Sequence, residues 1–195
     1  NHKLKIALVG RPNVGKSTLT NRILGNDRVV VYDQPGTTRG STYLDFTRRD
    51  KKYILIDTAG IRRKGKITQV LEKFSIIKTL NSINDSNVTV NLIDGQEGLT
   101  DQDLHLIEYT LNAGKALVIA INKWDGLPEE QRQTINKQIE RKLGFVIDFI
   151  KIHYISALHG TGVGDLFKSI HEAYNASIKK LPTAKVNDIL KSAQI

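Results

Sequence analysis

Short apolar runs alternate along this chain with segments whose apolar residues recur every three or four positions. The runs are rich in β-branched residues and lead into Gly, Asp or Ser clusters; in order they read LKIALVG, YILIDTAG, VTVNLIDG, ALVIAINKWD and FIKIHYISAL. Uninterrupted apolar runs of this length are typical of strands that are buried on both faces of a parallel sheet. We therefore expect parallel strands whose carboxyl ends lead into loops.

Further segments have the spacing of amphipathic helices. Their apolar stripes consist, in chain order, of Val70, Leu71, Phe74, Ile77 and Leu80; of Leu104, Ile107 and Leu111; of Ile135, Ile139 and Leu143; and of Leu166, Ile170, Tyr174 and Ile178. Thr100 and Asp103 have the spacing of a capping box before the second stripe. Helix starts and stops of the usual kinds stand at Gly114, Pro128, Gly144 and Pro182.

The alternation of strands with helices predicts an α/β fold with a doubly wound, mostly parallel six-stranded sheet. The segment STYLDFTRR alternates between apolar and polar positions more than the other runs do, and we expect it to form an antiparallel edge strand. Ligands of such folds bind in the crevice beyond the carboxyl ends of the strands. Thr89 and Asn91 are polar positions in a run predicted to be buried, and the pattern does not account for them.

Composition narrows the class of protein. The chain has 195 residues, of which 39% are hydrophobic, which suits one globular domain; we assign it to residues 1–181, with a tail at 182–195. The absence of cysteine excludes disulfides, thiolate metal sites and a cysteine nucleophile, and it fits a reducing, cytoplasmic location. No apolar run approaches the roughly 20 residues that span a bilayer. Because the chain contains no methionine and begins at Asn1, we expect a piece of a longer protein whose tail is a linker or the start of another domain.

The net charge is +9 at pH 7 and the pI is near 9.7. This excess of positive charge favours an anionic partner, which is a nucleotide, a nucleic acid or an acidic surface. A solvated surface with surplus lysine residues would give the same charge, so charge alone does not choose among these interpretations.

A glycine-rich segment, GRPNVGKS, follows the first predicted strand and precedes the helical segment TLTNRIL. It matches the phosphate-binding pattern G-x-x-x-x-G-K-[ST] in the required strand, loop and helix context. Backbone N–H groups of such a loop surround phosphates, Lys16 would reach the β and γ phosphates, and Ser17 would hold Mg²⁺. The nucleotide contacts predicted here are Gly10, Arg11, Pro12, Asn13, Val14, Gly15, Lys16, Ser17 and Thr18.

Two further segments complete the predicted phosphate end of the site. DTAG, which ends the second apolar run, places Asp57 to support Mg²⁺ through water and the N–H of Gly60 to meet the γ-phosphate. In the loop QPGTTRG, Thr38, or as second choice Thr37, would complete the Mg²⁺ coordination and so sense the γ-phosphate. The remaining contacts predicted beside DTAG are Thr58, Ala59 and Ile61.

The segment NKWD, residues 122–125, is predicted to recognise the base. The Asp125 carboxylate can accept hydrogen bonds from both N1–H and the 2-amino group of guanine, which adenine does not offer, so GTP is favoured over ATP. Asn122 would tie this loop to the phosphate loop, and the stem of Lys123 would cover the base. In the SAL segment the N–H of Ala157 would meet guanine O6, and HGTGVG after it is interpreted as the turn into the last helix. The other contacts predicted here are Trp124, Ser156 and Leu158.

Nearly the whole chain resembles the translation-factor-related P-loop GTPases of the Era and MnmE group, and most closely the second GTPase domain of the Der, or EngA, family. The motifs that carry the resemblance are GRPNVGKST, PGTTR, DTAGIRRKGK, EKFSIIKTL and NKWDGL. The resemblance implies hydrolysis of GTP to GDP with Mg²⁺ and a role in assembly of the large ribosomal subunit. It also implies a GTPase domain before this chain, a KH-like domain after it, and contact of the basic segment with RNA or a neighbouring domain through Arg62, Arg63, Lys64 and Lys66. A solvated basic loop is the alternative for that segment.

Ile61 stands where many GTPases have a glutamine that orients the attacking water. Several related GTPases with an apolar residue at this position recruit K⁺ beside the phosphates, and the resemblance implies that Asn13 helps to hold that ion. The catalytic residues implied in this way are Asn13, Lys16, Thr38 and Gly60. Gly40 departs from the family, which usually has aspartate there, and this leaves the ordering of the loop around Thr38 less defined.

Three other interpretations remain open. The chain could be a docking module whose GTP binding matters and whose hydrolysis is negligible, which Ile61 favours slightly. It could also be the GTPase domain of a tRNA-modification protein of the MnmE type, whose loops are similar. A P-loop kinase is the least compatible, because NKWD would then need another purpose.

Overall fold

The computed structural model describes residues 2–25, 28–31, 42–57, 76–144 and 146–178. The strands are β1 Leu4–Val9, β2 Arg28–Val31, β3 Thr42–Arg48, β4 Lys51–Asp57, β5 Val88–Asp94, β6 Ala116–Asn122 and β7 Lys151–Tyr154. The helices are α1 Lys16–Gly25, α2 Ile76–Asp85, α3 Asp101–Asn112, α4 Glu129–Leu143 and α5 Val163–Ser177. Short 3₁₀ turns are formed by Trp124–Gly126 and Ile147–Phe149.

The strands form one seven-stranded sheet in the order β2-β3-β4-β1-β5-β6-β7. β3 is antiparallel to both of its neighbours, and the pairs formed by β4, β1, β5, β6 and β7 are parallel. The predicted α/β class and the mostly parallel, doubly wound sheet are therefore confirmed. The structure adds β2 outside β3, so the sheet has seven strands where six were predicted, and β3 is not at the edge as expected. β2 has only four residues, and it pairs along β3 from Arg28 opposite Thr47 to Val31 opposite Leu44; so short a run gives no periodicity to read in the sequence.

Helices cover both faces of the sheet. On one face α1 and α5 bury Leu19, Ile23, Leu166 and Ile170 against the central strands. On the other face α2 and α3 pack beside β1 and β4, and α3 and α4 pack beside β5 and β6. The core therefore lies in two layers, one on each face of the sheet. The loops at the carboxyl ends of the parallel strands lie together at one edge of the sheet.

Two of the predicted helices have the ends that the sequence indicates. The N–H of Thr100 donates to Asp103 Oδ2 at 2.9 Å, and the N–H of Asp103 donates to Thr100 Oγ1 at 3.3 Å, which forms the capping box of α3. Pro128 is the N-cap and Gly144 the C-cap of α4. The predicted stripe of α4, which is Ile135, Ile139 and Leu143, is buried.

The predictions for the other two helices need correction. Ile77 was expected on the buried face of α2, but 69% of its surface is exposed, and Thr79, Ser82 and Ile83 are buried instead. The Ser82 hydroxyl donates to the Lys78 carbonyl at 2.8 Å, so a small polar residue can face the sheet without an unpaired hydroxyl. The last stripe is one residue too long, because α5 ends at Ser177 and Ile178 is 64% exposed. The positions Val70, Leu71, Phe74 and Pro182 lie outside the described residues.

The two unexplained polar residues of β5 are both fully buried. Thr89 shares a hydrogen bond of 3.1 Å with the hydroxyl of Ser86. The amide of Asn91 has no hydrogen-bond partner among the described residues. In the part of the chain that the structure describes, no helix combines the length and the apolar character that crossing a membrane requires.

Candidate nucleotide-binding site

The candidate site lies where the chain leaves the carboxyl ends of the central strands. Gly10 follows β1, Asp94 ends β5 and Asn122 ends β6. Asp94 and Asn122 are paired with each other in the ladder between β5 and β6. The chain crosses from one half of the sheet to the other beside β1, which is where doubly wound sheets bind ligands. The structure thus brings the glycine-rich segment and NKWD to one edge of the sheet.

Backbone conformation explains why glycines stand in the phosphate-binding loop. Gly15 has a φ of 104°, and a Cβ at this position would collide with the Asn122 amide. A Cβ at Gly10 would lie 2.6 Å from the carbonyl oxygen of Leu92. Both glycines therefore allow the loop to rest closely on β5 and on the loop that follows β6.

Lys16, the first residue of α1, is 5% exposed. Its Nζ donates to the carbonyl oxygens of Gly10 at 2.8 Å and of Arg11 at 2.9 Å. The ammonium group therefore spans the loop from its end to its beginning. A positive charge at the amino end of a helix, beside a loop of backbone N–H groups, creates a site with strong attraction for phosphate.

The Asn122 side chain joins the loops of the site. Its Nδ2 donates to the Val14 carbonyl at 2.9 Å, and its Oδ1 accepts from the N–H of Ala157 at 2.9 Å. The side chain is buried, being 3% exposed, and an unpaired amide there would be costly. The phosphate-binding loop, NKWD and SAL are therefore held together by one residue.

The Lys123 side chain makes a second connection between these loops. Its Nζ lies 2.7 Å from Asp94 Oδ2 in a salt bridge and donates to the Asn13 carbonyl at 3.3 Å. Lys123 and Asn13 both have left-handed backbone conformations, with φ of 64° and 65°. The lysine stem is therefore held between the end of β5 and the phosphate-binding loop.

Asp125 lies in the 3₁₀ turn after β6 and its side chain is exposed. Its Oδ2 accepts a hydrogen bond of 2.6 Å from the hydroxyl of Thr161. The interpretation of HGTGVG as only a turn therefore missed a contact of the predicted base-reading residue. No spacing rule relates positions 125 and 161, so the sequence carried no signal for this pair.

Arg22 of α1 is a second residue that the sequence did not indicate. Its Nε donates to the Ala157 carbonyl at 2.7 Å, and its Nη2 donates to the Leu158 carbonyl at 2.5 Å. The SAL segment is thereby attached to the helix that follows the phosphate-binding loop. Leu158 itself is 68% exposed.

Three predicted contacts have side chains or donors that are buried or already in use. Arg11 Nη1 lies 2.6 Å from Glu97 Oε2, and its Nε lies 3.2 Å from the buried Asp103 Oδ1, so these two nitrogens are already paired. Burial lowers the pKa of the Arg11 guanidinium, but the hydrogen bond to Glu97 and the attraction of Asp103 outweigh burial and raise that pKa overall. Val14 is buried. The N–H of Ala157 donates to Asn122, so a contact with guanine O6 would need a shared or exchanged hydrogen bond.

Trp124 is predicted to contact the nucleotide, and in the structure its half-buried ring packs at the edge of the core. It lies 4.3 Å from the ring of Tyr154, centroid to centroid, and the guanidinium carbon of Arg132 lies 5.2 Å from its centroid. Arg132 also donates to the Trp124 carbonyl at 3.0 Å. Burial in this cluster raises the pKa of Tyr154. The indole therefore anchors the NKWD turn to α4 and β7.

The other predicted residues differ in exposure and in position. Pro12 is half-buried, and Asn13, Ser17 and Thr18 are exposed in the loop or on the first turn of α1, while Ser156 is buried. Asp57 ends β4, and only its backbone is described. The remaining predictions lie outside the described residues; they concern Thr37, Thr38, Gly40, Thr58, Ala59, Gly60, Ile61, Arg62, Arg63, Lys64 and Lys66.

The donor set of the described residues suits an ion that arrives with phosphates. Within residues 2–25, 28–31, 42–57, 76–144 and 146–178, no group of three or more His, Cys, Asp or Glu side chains could hold a metal ion alone. Ser17 and Asn13 are exposed residues, and their side chains carry hydroxyl and amide oxygens, which are ligands of hard cations. Mg²⁺ usually binds through few protein ligands together with substrate phosphates. The residues present therefore fit Mg²⁺ carried by a nucleotide.

Comparison with known proteins identifies relatives of this chain. Residues 5–123 match the family described as "50S ribosome-binding GTPase". Over 191 residues the chain is 59% identical to the GTPase Der of Yersinia pestis, an alignment that covers 98% of this chain and 38% of that protein. The GTPase Der of Yersinia pseudotuberculosis matches to the same extent. The chain spans 38% of the length of both relatives, and the resemblance to the Der family is confirmed.

Solved structures share the fold. Era from Aquifex aeolicus bound to GDP and AlF₄⁻ superimposes with a TM-score of 0.65 at 29% identity, covering 88% of this chain and 57% of that chain. The G domain of the FeoB iron transporter from T. maritima has a TM-score of 0.59 at 26% identity, covering 88% of this chain and 99% of that chain. These similarities confirm the predicted GTPase fold.

Proposed function

The chain belongs to the family of 50S ribosome-binding GTPases, and we propose that it binds GTP and hydrolyses it to GDP and phosphate. The Asn122 side chain carries this proposal, because its two polar atoms join the glycine-rich loop at Val14 to the Ala157 loop. Through this bridge the segments predicted to bind phosphate and base lie side by side. One nucleotide can therefore contact both.

At the phosphate end, Lys16 is proposed to bind the β and γ phosphates. Its ammonium group already donates to two loop carbonyls. Phosphate oxygens would replace these neutral acceptors with charged ones, and such charge-assisted hydrogen bonds are stronger. The backbone N–H groups at the start of α1 add favourable potential. The N–H of Gly60 and the hydroxyl of Thr38 are proposed as further contacts of the γ-phosphate end.

At the base end, Asp125 is proposed to accept from N1–H and the 2-amino group of guanine. The stem of Lys123, held by Asp94 and by the Asn13 carbonyl, would form one wall of the pocket. The exposed apolar side chain of Leu158 would cover part of the base. Adenine would leave the carboxylate facing an acceptor nitrogen and no amino group at position 2, so ATP should bind poorly.

In the proposed reaction a water molecule attacks the γ-phosphorus, the bond from that phosphorus to the bridging oxygen breaks, and GDP leaves. Lys16 would stabilise the charge that develops on the phosphate oxygens. Mg²⁺ bound with GTP would supply further positive charge, held by Ser17, Thr38 and, through water, Asp57. Because Ile61 cannot orient the water by hydrogen bonds, backbone groups near Gly60 are proposed to do so.

Nucleotide competition and multiple-turnover phosphate release test this proposal. We expect GTP and GDP, but not ATP, to displace a fluorescent GDP analogue, and we expect phosphate release to exceed that of free GTP. The single tryptophan, Trp124, precedes Asp125 and gives an intrinsic fluorescence signal for binding. Preferential binding of ATP would contradict the role of Asp125. A rate of phosphate release equal to that of GTP without protein, both with and without ribosomes, would contradict the proposed GTPase activity and favour the docking module.

A second test concerns K⁺, for which Asn13 is the proposed ligand. We expect faster GTP hydrolysis in K⁺ than in Na⁺, because an added ion beside the phosphates would supply charge that Ile61 cannot. Asn13 has a φ of 65°, so Asn13→Gly removes the amide without the left-handed strain that alanine would add. This variant should show a smaller ratio of the K⁺ rate to the Na⁺ rate. Equal wild-type rates in the two salts would remove the proposal.

We further propose that this GTPase acts in assembly of the large ribosomal subunit in the cytoplasm. The family description and the identity to GTPase Der support this, and they do not favour the MnmE interpretation. In this proposal residues 1–181 are the second of two GTPase domains, and 182–195 lead to a KH-like domain. The net charge of +9 suits ribosomal RNA as the partner, with the basic segment from Arg62 to Lys66 as a contact for RNA or for a neighbouring domain.

A further inference from the structure

The base-reading carboxylate has a neighbour that no motif includes. Asp125 is exposed on a turn of three residues, and the carboxylate torsion of an aspartate has a broad, weakly restricted distribution. An exposed carboxylate of this kind does not by itself hold the one orientation in which both oxygens face the guanine N–H groups. The hydroxyl of Thr161 donates to its Oδ2 at 2.6 Å and restricts that torsion.

Thr161 is itself held in place by the backbone of its loop. The N–H of Ser156 donates to the Thr161 carbonyl at 2.9 Å, and the N–H of Gly160 donates to the Ser156 carbonyl at 2.7 Å. Gly160 and Gly162 have left-handed φ of 86° and 75°, and a Cβ at Gly162 would lie 2.6 Å from the Tyr154 carbonyl oxygen. The loop conformation that presents Thr161 therefore requires glycine on both sides.

The same loop is attached to the rest of the site. Arg22 binds the carbonyls of Ala157 and Leu158, and Asn122 binds the N–H of Ala157. The branched β-carbon of threonine also restricts its own side-chain torsion. The hydroxyl is thus positioned by contacts that involve neither Asp125 nor the ligand, as a preorganised binding site requires.

We propose that Thr161 is a specificity-positioning residue, whose hydroxyl holds the Asp125 carboxylate ready to accept both N1–H and the 2-amino group of guanine. This inference rests on the proposed function as a guanine-nucleotide site. A carboxylate has about four lone-pair positions on its two oxygens, so the bond from Thr161 leaves acceptor capacity on each oxygen for the base. Preorganisation of this kind raises affinity by reducing the ordering that binding must impose.

The test compares GDP with IDP, whose base lacks the 2-amino group. In the wild type GDP should bind more tightly, because both carboxylate oxygens are used. In Thr161→Val the GDP affinity should fall about fivefold, a typical effect of one lost orienting contact. IDP affinity should fall less, since a single N–H can follow a rotating carboxylate. The ratio of the IDP to the GDP dissociation constant, measured by calorimetry, should therefore shrink.

The controls separate orientation from loop structure. Thr161→Ser keeps the hydroxyl and should retain the wild-type ratio, while Thr161→Ala should repeat the shift of Thr161→Val. Thr134→Val removes another exposed threonine hydroxyl, which bonds to the Glu130 carbonyl on α4, and should change neither affinity. Circular dichroism melting checks that each variant is folded.

An unchanged IDP to GDP ratio in Thr161→Val, or the same loss in Thr161→Ser, would overturn the inference while leaving guanine binding intact. A wild-type protein that binds GDP no better than ADP would instead overturn the proposed function and this inference with it.

Discussion

Lys16→Ala is expected to lower the affinity for GDP and GTP about a hundredfold, because a charge-assisted contact to phosphate in a partly desolvated site is lost. The Lys16 side chain is 5% exposed and its ammonium spans the phosphate-binding loop from Gly10 to Arg11. No other cationic side chain among the described residues donates to those two carbonyls. Titration calorimetry with each nucleotide measures the effect.

The matched control is Lys137→Ala, which removes one positive charge from an exposed position of α4. It should leave both affinities unchanged, and this separates a local contact from a general loss of positive charge. Thermal unfolding shows whether the Lys16 variant keeps its fold. Equal GDP and GTP affinities in the Lys16 variant and the wild type would contradict the proposed role of this residue.

Asp125→Asn is expected to change the base preference from guanine to xanthine. Xanthine keeps the N1–H donor but has a carbonyl acceptor in place of the 2-amino donor. An amide offers one acceptor and one donor, which matches xanthine, whereas against guanine its NH₂ group would face another donor. We expect GDP affinity to fall about a hundredfold, because a mismatched hydrogen-bonding group at such a site strongly weakens binding. The affinity for XDP should rise, because its groups match those of the amide.

Competition of GDP, XDP and ADP against a fluorescent analogue measures this change of preference. Asp148→Asn is the control, since it makes the same substitution at an exposed position of a 3₁₀ turn elsewhere in the chain. A variant at Asp125 that keeps the wild-type affinity for GDP would show that the base is read by other groups.

The fold was largely predictable because its signals are local. Buried parallel strands appear as apolar runs, and Pro128 and Gly144 mark the two ends of α4. The capping box of Thr100 and Asp103 is likewise a short-range pattern, because the two residues are three positions apart. The error at Ile77 arose because α2 turns Thr79 and Ser82 toward the sheet, with the Ser82 hydroxyl bonded to its own helix. A search for large apolar residues does not detect that kind of buried face.

The candidate site was predictable in its motifs and less so in its contacts. Gly10, Gly15 and Lys16 follow from the demands of a phosphate-binding loop, and their backbone and burial agree with a close-fitting loop. The direction of the Arg11 side chain was not predictable, because its partners Glu97 and Asp103 stand far along the chain. The packing of Trp124 on Tyr154 depends likewise on the position of β7.

The sequence by itself determined most of the order of strands and helices, the glycine-rich loop, and the NKWD segment that is proposed to read the base, since these depend on short-range patterns and on glycine conformation. Only the tertiary structure decided that β2 extends the sheet beyond β3 and that Asn122 and Arg22 join the loops of the site. It also placed the Thr161 hydroxyl against Asp125. These contacts join residues that are separated by many positions along the chain. Packing of the whole chain brings them together, so no local pattern in the sequence indicates them.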